Sequence, residues 1–341
     1  MRGFSLVEML VSLVLGLVVL LGVIGLYLAS RDMFRTHEGL ARLQEGGRFA
    51  LDRLMREARQ AGQVPCGTRL DANTLRTVNS PAMDWWADTD AGLVRAWSGS
   101  QASTGIADWG TGPGQRLKGT GALLLMRPSD DPGLVQRATG HAIAARRFTL
   151  TDVGDLRTND IILACDGRRS ALFQASAVNT QGATLEHKAT GRNCTDRLGA
   201  VGTGCLNPVD AEFEPASGIV LARWDPSFWF VGMNDQGTRS LYRMALNAGG
   251  GSSAVAGSQE IARGVEDLQV EALTRDDQLD GELATAWSPP ASFAAGWSQD
   301  SQRVVSLRIT LTLRSEDAVG AGGKPLERTL VSVATLRNRD R

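Results

Sequence analysis

The sequence predicts an α+β protein: one long N-terminal α-helix, membrane-spanning in its first half, packed on a mainly antiparallel β-sheet head. Three observations predict it. The 22 residues from Met9 to Ser30 carry no charge. From Arg31 to Ala61 apolar residues recur at helical spacing. Beyond Gly62 short runs of β-forming residues alternate with Gly-, Ser- and Asp-rich breaks. The 341 residues suffice for a sizeable core, and 43% hydrophobic with 21% charged excludes wholesale disorder. Lys+Arg 36 against Asp+Glu 37 leaves a formal charge of -1, without the basic excess of a dedicated nucleic-acid binder, so no nucleic-acid partner is expected. His37, His141 and His187 are the only histidines and lie far apart in sequence, so neither a metal nor a cofactor is expected.

At about 1.5 Å per residue, a helix over Met9–Ser30 spans roughly 33 Å, the thickness of a bilayer core. A cleaved secretory signal would have a shorter apolar core and a better small-x-small site than Ala29-Ser30-Arg31. A plain anchor is the bland alternative. Neither accounts for Glu8, a carboxylate at the edge of the apolar run, which costs a few kcal/mol unless a cation meets it.

Gly3-Phe4-Ser5-Leu6-Val7-Glu8-Met9-Leu10 resembles the type IV pilin processing signal. The resemblance implies that a prepilin peptidase removes the leader, residues 1–3, by cutting between Gly3 and Phe4, and leaves N-methylphenylalanine at Phe4. Glycine suits such a cut because it lets an extended backbone enter a protease cleft. The resemblance also implies that Glu8 pairs with the N-terminal ammonium of a neighbouring subunit, in line with the need of a buried charge for an opposite one. Seven arginines in residues 31–60 run against the positive-inside count, and the leader and the cysteines decide for an extracytoplasmic head.

The second helical half, residues 31–61, places Leu40, Leu43, Gly47, Leu51, Leu54 and Ala58 on one face. Arg42, Glu45, Arg48, Asp52, Arg53, Arg56, Glu57 and Arg59 are assigned to a solvated face. Gly46-Gly47 reads as a soft spot or a packing contact, and Gly62 as a C-cap. Too few heptads persist for a coiled coil.

In the head, residues 62–341, strands are expected at Ala122–Arg127, Arg147–Thr151, Asp160–Cys165, Ala171–Val178, Gly218–Arg223, Phe228–Gly232, Ser240–Leu246, Leu268–Leu273, Val304–Arg314 and Arg328–Leu336. Asn234-Asp235-Gln236-Gly237 reads as a hairpin turn. Residues 66–120, with Trp85, Trp86, Trp97 and Trp109, read as an irregular ordered insertion whose tryptophans pack in a core.

Stretches of the head resemble PilW-type minor pilins of type IV pili: Asp160–Asp166 with Ala171–Gln174, Trp229–Gly232 with Ser240–Arg243, Gly264–Val270, and Leu336-Arg337-Asn338-Arg339. The order Cys165-Asp166 departs from the Asp-Cys expected in many relatives, and residues 66–120 carry no resemblance. The implied role is structural: a minor pilin that primes or caps the pilus, serving biogenesis, motility and adhesion. Its implied partners are the prepilin peptidase, other minor pilins, the major pilin, a tip adhesin, and the membrane through residues 9–30. It would sit in the inner membrane with a periplasmic head, then on the pilus. The alternatives are a type II secretion pseudopilin and a membrane-anchored adhesin or ligand-binding head.

Cys66, Cys165, Cys194 and Cys205 all follow the apolar run, and none forms CxxC. An even count in an exported head suggests two disulfides. Cys194 and Cys205 lie close in a Gly- and Asn-rich segment and can close locally, leaving Cys66 with Cys165. One bridge with two reduced cysteines stays open as an alternative.

No GxSxG, HExxH or Walker pattern occurs. Gly114–Thr120 has the letters of a phosphate loop in the wrong order. Asp276–Glu282 partly matches a calcium loop, but its twelfth position is Trp287 rather than a bidentate Glu. No catalytic residue is assigned, and no enzyme activity is expected.

Overall fold

The computed structural model describes residues 6–62, 70–75, 84–199, 205, 207–246, 257–276, 282–293, 297, 302–318, 320 and 322–336. One helix, α1 (Leu6–Gln60), runs 55 residues. Propensity alone would not hold it straight in water. Its first half is suited to lipid, and its second half buries Leu43, Gly47, Ala50, Leu54, Met55 and Ala58 on the head. Leu43, Gly47, Leu54 and Ala58 belong to the stripe that the spacing predicts; Leu40 and Leu51 of that stripe are half-buried, and Ala50 and Met55 widen it. Gly62 ends the helix at φ +72, and its N–H donates to the Met126 carbonyl at 3.0 Å. That left-handed conformation is the one a C-cap glycine supplies without strain.

The strands follow in chain order: β1 (Ala72–Asn73), β2 (Val94–Trp97), β3 (Ala122–Leu125), β4 (Val135–Ala142), β5 (Arg147–Leu150), β6 (Ile161–Cys165), β7 (Ser170–Gln174) and β8 (Ala177–Asn179). Then come β9 (Thr184–Glu186), β10 (Ile219–Arg223), β11 (Ser227–Met233), β12 (Arg239–Ala245), β13 (Gln259–Arg263), β14 (Val265–Asp276), β15 (Gln302–Arg314) and β16 (Glu327–Thr335). They form a three-stranded sheet in the order β14-β15-β16 and a five-stranded sheet β13-β12-β11-β3-β2. An eight-stranded sheet runs β1-β7-β6-β10-β4-β5-β9-β8. Apart from the parallel pair β1/β7, the named strands pair antiparallel. The architecture is therefore α+β.

Strand alternation stacks these sheets in layers. On β11, Trp229 and Val231 face a core shared with α1, β14 and β15. Phe228 and Phe230 face the opposite way, toward Ile161, Leu163 and Cys165 of β6. Ile162 and Ala164, on the other face of β6, join a third core with Phe148, Phe173 and Phe213. The Asn234–Gly237 turn closes the β11/β12 hairpin as expected, with Asn234 accepting from the Gln236 and Thr238 N–H groups.

Each expected strand is present, with shifted ends. Ala171–Val178 divides into β7 and β8, because Ala175 and Ser176 turn aside to pair with Asp160 and Glu186. β1, β2, β4, β9 and β13 were not expected. In the stretch read as irregular, β2 pairs with β3, and Trp85 and Trp86 are buried. In the phosphate-loop-like segment Arg116 is fully buried. Its guanidinium donates to the Ser98, Gln101 and Thr120 carbonyls, which explains the segment without a ligand. Burial lowers its pKa to about 10. Of the calcium-loop-like stretch, residues 277–281 lie outside the described residues.

Candidate assembly site

Leu6 to Phe34 form the exposed part of α1: Leu6 is 77% exposed and Phe34 69%. This helix is long and apolar enough to cross a membrane, and none of its apolar window is buried within the chain. Glu8 lies in its first turn, where a carboxylate complements the positive end of the helix dipole. Gly3 and Phe4 lie outside the described residues.

At the other end of α1 a second carboxylate is set very differently. Glu57, assigned from sequence to the solvated face, is 5% exposed. Its Oε2 accepts from the Ser227 hydroxyl at 2.7 Å and the Trp229 indole N–H at 2.9 Å, and its Oε1 accepts from Arg243 Nε at 2.8 Å. Arg243 and Arg127 also reach Asp225, at 3.4 and 2.5 Å. Arg127 further donates to Gln60 at 3.1 Å. Two carboxylates and two guanidiniums thus close a buried network that ties α1 to the head. The charges are compensated and mostly hydrogen-bonded, the condition under which buried ions are tolerated. Glu8 and Glu57 are separated by 49 residues of α1, roughly 74 Å of helix at about 1.5 Å per residue.

Among the cysteines, Cys194 and Cys205 form a disulfide with Cα atoms 6.2 Å apart. Cys165, buried in β6, is disulfide-bonded as well. Cys66 lies outside the described residues.

The structure brings together two histidines that sequence distance had set apart. His141 Nε2 and His187 Nε2 are 3.0 Å from each other. The Phe213 N–H donates to His141 Nδ1 at 3.3 Å, so that nitrogen is unprotonated. His187 Nδ1 faces the Asp196 carbonyl at 3.0 Å and must carry a proton. The proton between the two rings therefore belongs to His141, and both imidazoles are neutral. Burial, then the nearby Arg146, lowers the His141 pKa to about 4; burial, then His141 itself, lowers that of His187 to about 3. Phe148 stacks on His141 at 4.2 Å. With every ring nitrogen engaged, the pair is a structural clamp. Among the described residues no group of His, Cys, Asp and Glu is arranged to hold a metal.

α1 thus presents an exposed apolar half and a half docked on the β head. Residues 1–24 match the family model of the prokaryotic N-terminal methylation motif. Residues 228–338 match the model of the type IV pilus-assembly protein W. The two matches cover the start and the last third of the chain, and together they support a PilW-type prepilin-like protein related to the type IV pilus. No curated protein and no solved structure matches it. A methylation motif followed by an apolar helix is the pattern of a membrane-anchored pilin, and pilus membership implies contact with other pilins and with the prepilin peptidase.

Proposed function

We propose that the chain is a minor pilin that primes or caps the type IV pilus together with other minor pilins, the major pilin and a tip adhesin. In this reading residues 1–3 are the leader, cleavage falls between Gly3 and Phe4, and Phe4 becomes the methylated N-terminus. Residues 4–30 form the membrane and assembly helix, residues 31–61 its docked continuation, and residues 62–341 the periplasmic head, which reaches the cell surface with the pilus. Residues 66–120 form an insertion in that head. The role is structural rather than catalytic.

The carrying observation is the division of α1: one half is buried on the head and the other offers roughly 33 Å of unburied apolar helix, beginning beside Glu8. A neighbour's N-terminal ammonium, which exists there only after cleavage, is the cation that suits Glu8 in this setting. The Cys194–Cys205 bridge supports an oxidising compartment, and a second bridge, Cys66–Cys165, completes the pairing in this reading.

Mass spectrometry of the mature N-terminus should find N-methyl-Phe4, and Gly3→Leu should leave uncleaved precursor. Glu8→Ala should insert and fold normally, because losing a charge eases insertion, yet co-purify at least tenfold less of the other subunits. Normal assembly of Glu8→Ala, with its N-terminus verified by mass, would remove the pairing role. Non-reducing peptide mapping should recover Cys66 joined to Cys165; a free thiol at either position refutes that bridge.

A further inference from the structure

Among the described residues, most sheet edges are short, distorted or covered, and one is not. β1 and β8 have two and three residues, and β2 has four. The pairing of β13 shifts register at Leu241/Tyr242. β14 is bulged twice, and bridges from Ser288 to Ala272 and from Leu283 to Arg275 cover it. These are the ordinary means of blunting an edge. β16 has none of them: it runs nine residues in unbroken register with β15 and contains no proline.

The direction of its free groups follows from one bond. The Leu336 N–H donates to the Val305 carbonyl at 2.8 Å. In an antiparallel ladder the backbone of every second residue turns the same way, so Arg328, Leu330, Ser332 and Ala334 face β15. Glu327, Thr329, Val331, Val333 and Thr335 then turn their N–H and C=O groups outward. All five are exposed, Val331 by 57% and Val333 by 46%, and three central ones are β-branched residues that favour a paired strand.

We propose that the outer edge of β16 is completed by an extended strand from the head of a different subunit of the same pilus. The inference rests on the minor-pilin reading. Five outward donor–acceptor pairs at strand spacing are matched by another backbone and by few other ligands. The edge also lies beside α1, the element through which pilin subunits associate in that reading: Gly47 packs against Leu313 and Leu330 of β15 and β16. A second copy of this chain does not fit. Symmetric antiparallel pairing of two β16 edges needs a two-fold axis normal to the sheet. α1 lies flat on that sheet, so such an axis would reverse it, and two helices inserted in one membrane cannot point in opposite directions.

The test uses the full chain co-expressed with the other subunits of its pilus, purified in detergent and compared with the chain alone by hydrogen exchange. Amides of Thr329, Val331 and Val333 should exchange at least tenfold more slowly in the complex. Equal exchange in complexes that form overturns the proposal, as does concentration-dependent protection in the chain alone, which would mean self-pairing. Val331→Pro/Val333→Pro removes only outward N–H groups, which an edge strand tolerates. It should recover at least tenfold less of the partners while inward amides stay protected; wild-type recovery overturns the proposal. Should that variant misfold, Val331→Lys keeps every backbone group and sets a charge beside the added strand, with the same two outcomes. Glu8→Ala separates the readings: if it blocks assembly and the edge variants do not, the edge proposal fails and the minor-pilin reading stands.

Discussion

The head is held together differently at its two ends. Against the helix, residues 228–338, matched to the PilW-type assembly protein, supply most of the sheet surface, and a charged network around Glu57 fastens α1 to it. At the far end, the eight-stranded sheet is built from residues 72–223, outside both matched segments, and its buried fastening is neutral: the His141–His187 pair, an aromatic cluster of Phe148, Phe173 and Phe213, and the Cys194–Cys205 bridge, with the ion pairs of Arg146 to Asp196 and Asp210 nearer the surface. The contrast teaches that the helix-docking platform carries the family character, while the distal sheet is a separate solution to burying a third apolar layer.

The largest expected effect strikes the platform. Glu57→Ala leaves Arg243 and Arg127 facing a cavity with the half-buried Asp225 and, for Arg127, the exposed Asp130 as remaining counter-ions, and strips the Ser227 hydroxyl and Trp229 indole of their acceptor. Removing one partner of such a network costs about 3–5 kcal/mol. Urea titration should show this loss, and hydrogen exchange should locate it in residues 47–60 and in β11 and β12. Retained stability would mean that α1 docks by apolar packing alone.

Acid should strike the distal end first. The folded chain holds both histidines below their ordinary pKa of 6.5, so below that pH the unfolded chain binds protons that the folded chain refuses. The contribution is intact above pH 6.5 and is lost progressively as pH falls, until His141 protonates near 4 and His187 near 3. Between pH 7 and pH 5 the loss is about 2 kcal/mol for each histidine. Protection of β4, β5 and β9 should fall at pH 5 relative to β14 and β15, and His141→Gln/His187→Gln should flatten the pH slope. A slope unchanged by that double variant would assign the acid sensitivity elsewhere.

The same division describes what the sequence discloses. The charge-free run, the helical stripe to Ala58, the long alternating β15 and the Asn234–Gly237 turn are local signals, and each appears where its pattern lies. β4 and β13 escaped because VQRATGHA and QEIAR are polar, half-exposed strands whose pairing comes from neighbours rather than from alternation. Glu57 was misread because a charge in a helical pattern ordinarily faces water; its partner Arg243 is 186 residues away. His141 and His187 are 46 residues apart and were set aside as scattered, although the sheet order β4-β5-β9 brings them together. The N-terminal signal is legible for the opposite reason: eight consecutive residues carry the pattern, so reading it needs no knowledge of the tertiary fold.

The smallest effect gives the sharpest view of the platform, because it compares adjacent glycines on one helix. A Cβ on Gly46 would meet nothing within 4 Å. Gly46→Ala should therefore stabilise by about 0.5–1 kcal/mol, the difference in helix propensity. A Cβ on Gly47 would come 2.2 Å from Leu313 Cδ1 and 3.1 Å from Leu330 Cδ1. These atoms end flexible side chains, so the question is whether they can swing away. Leu313 is 1% exposed inside the core shared by α1 and β15, which leaves it little room. Overpacking of about 1–3 kcal/mol then outweighs the propensity gain, and Gly47→Ala should destabilise by about 1–2 kcal/mol net. Opposite signs at neighbouring positions in denaturant titrations would show that α1 meets the sheet at backbone contact; gains of similar size at both would mean that Leu313 repacks freely and that the Glu57 network, rather than close approach, sets the docking.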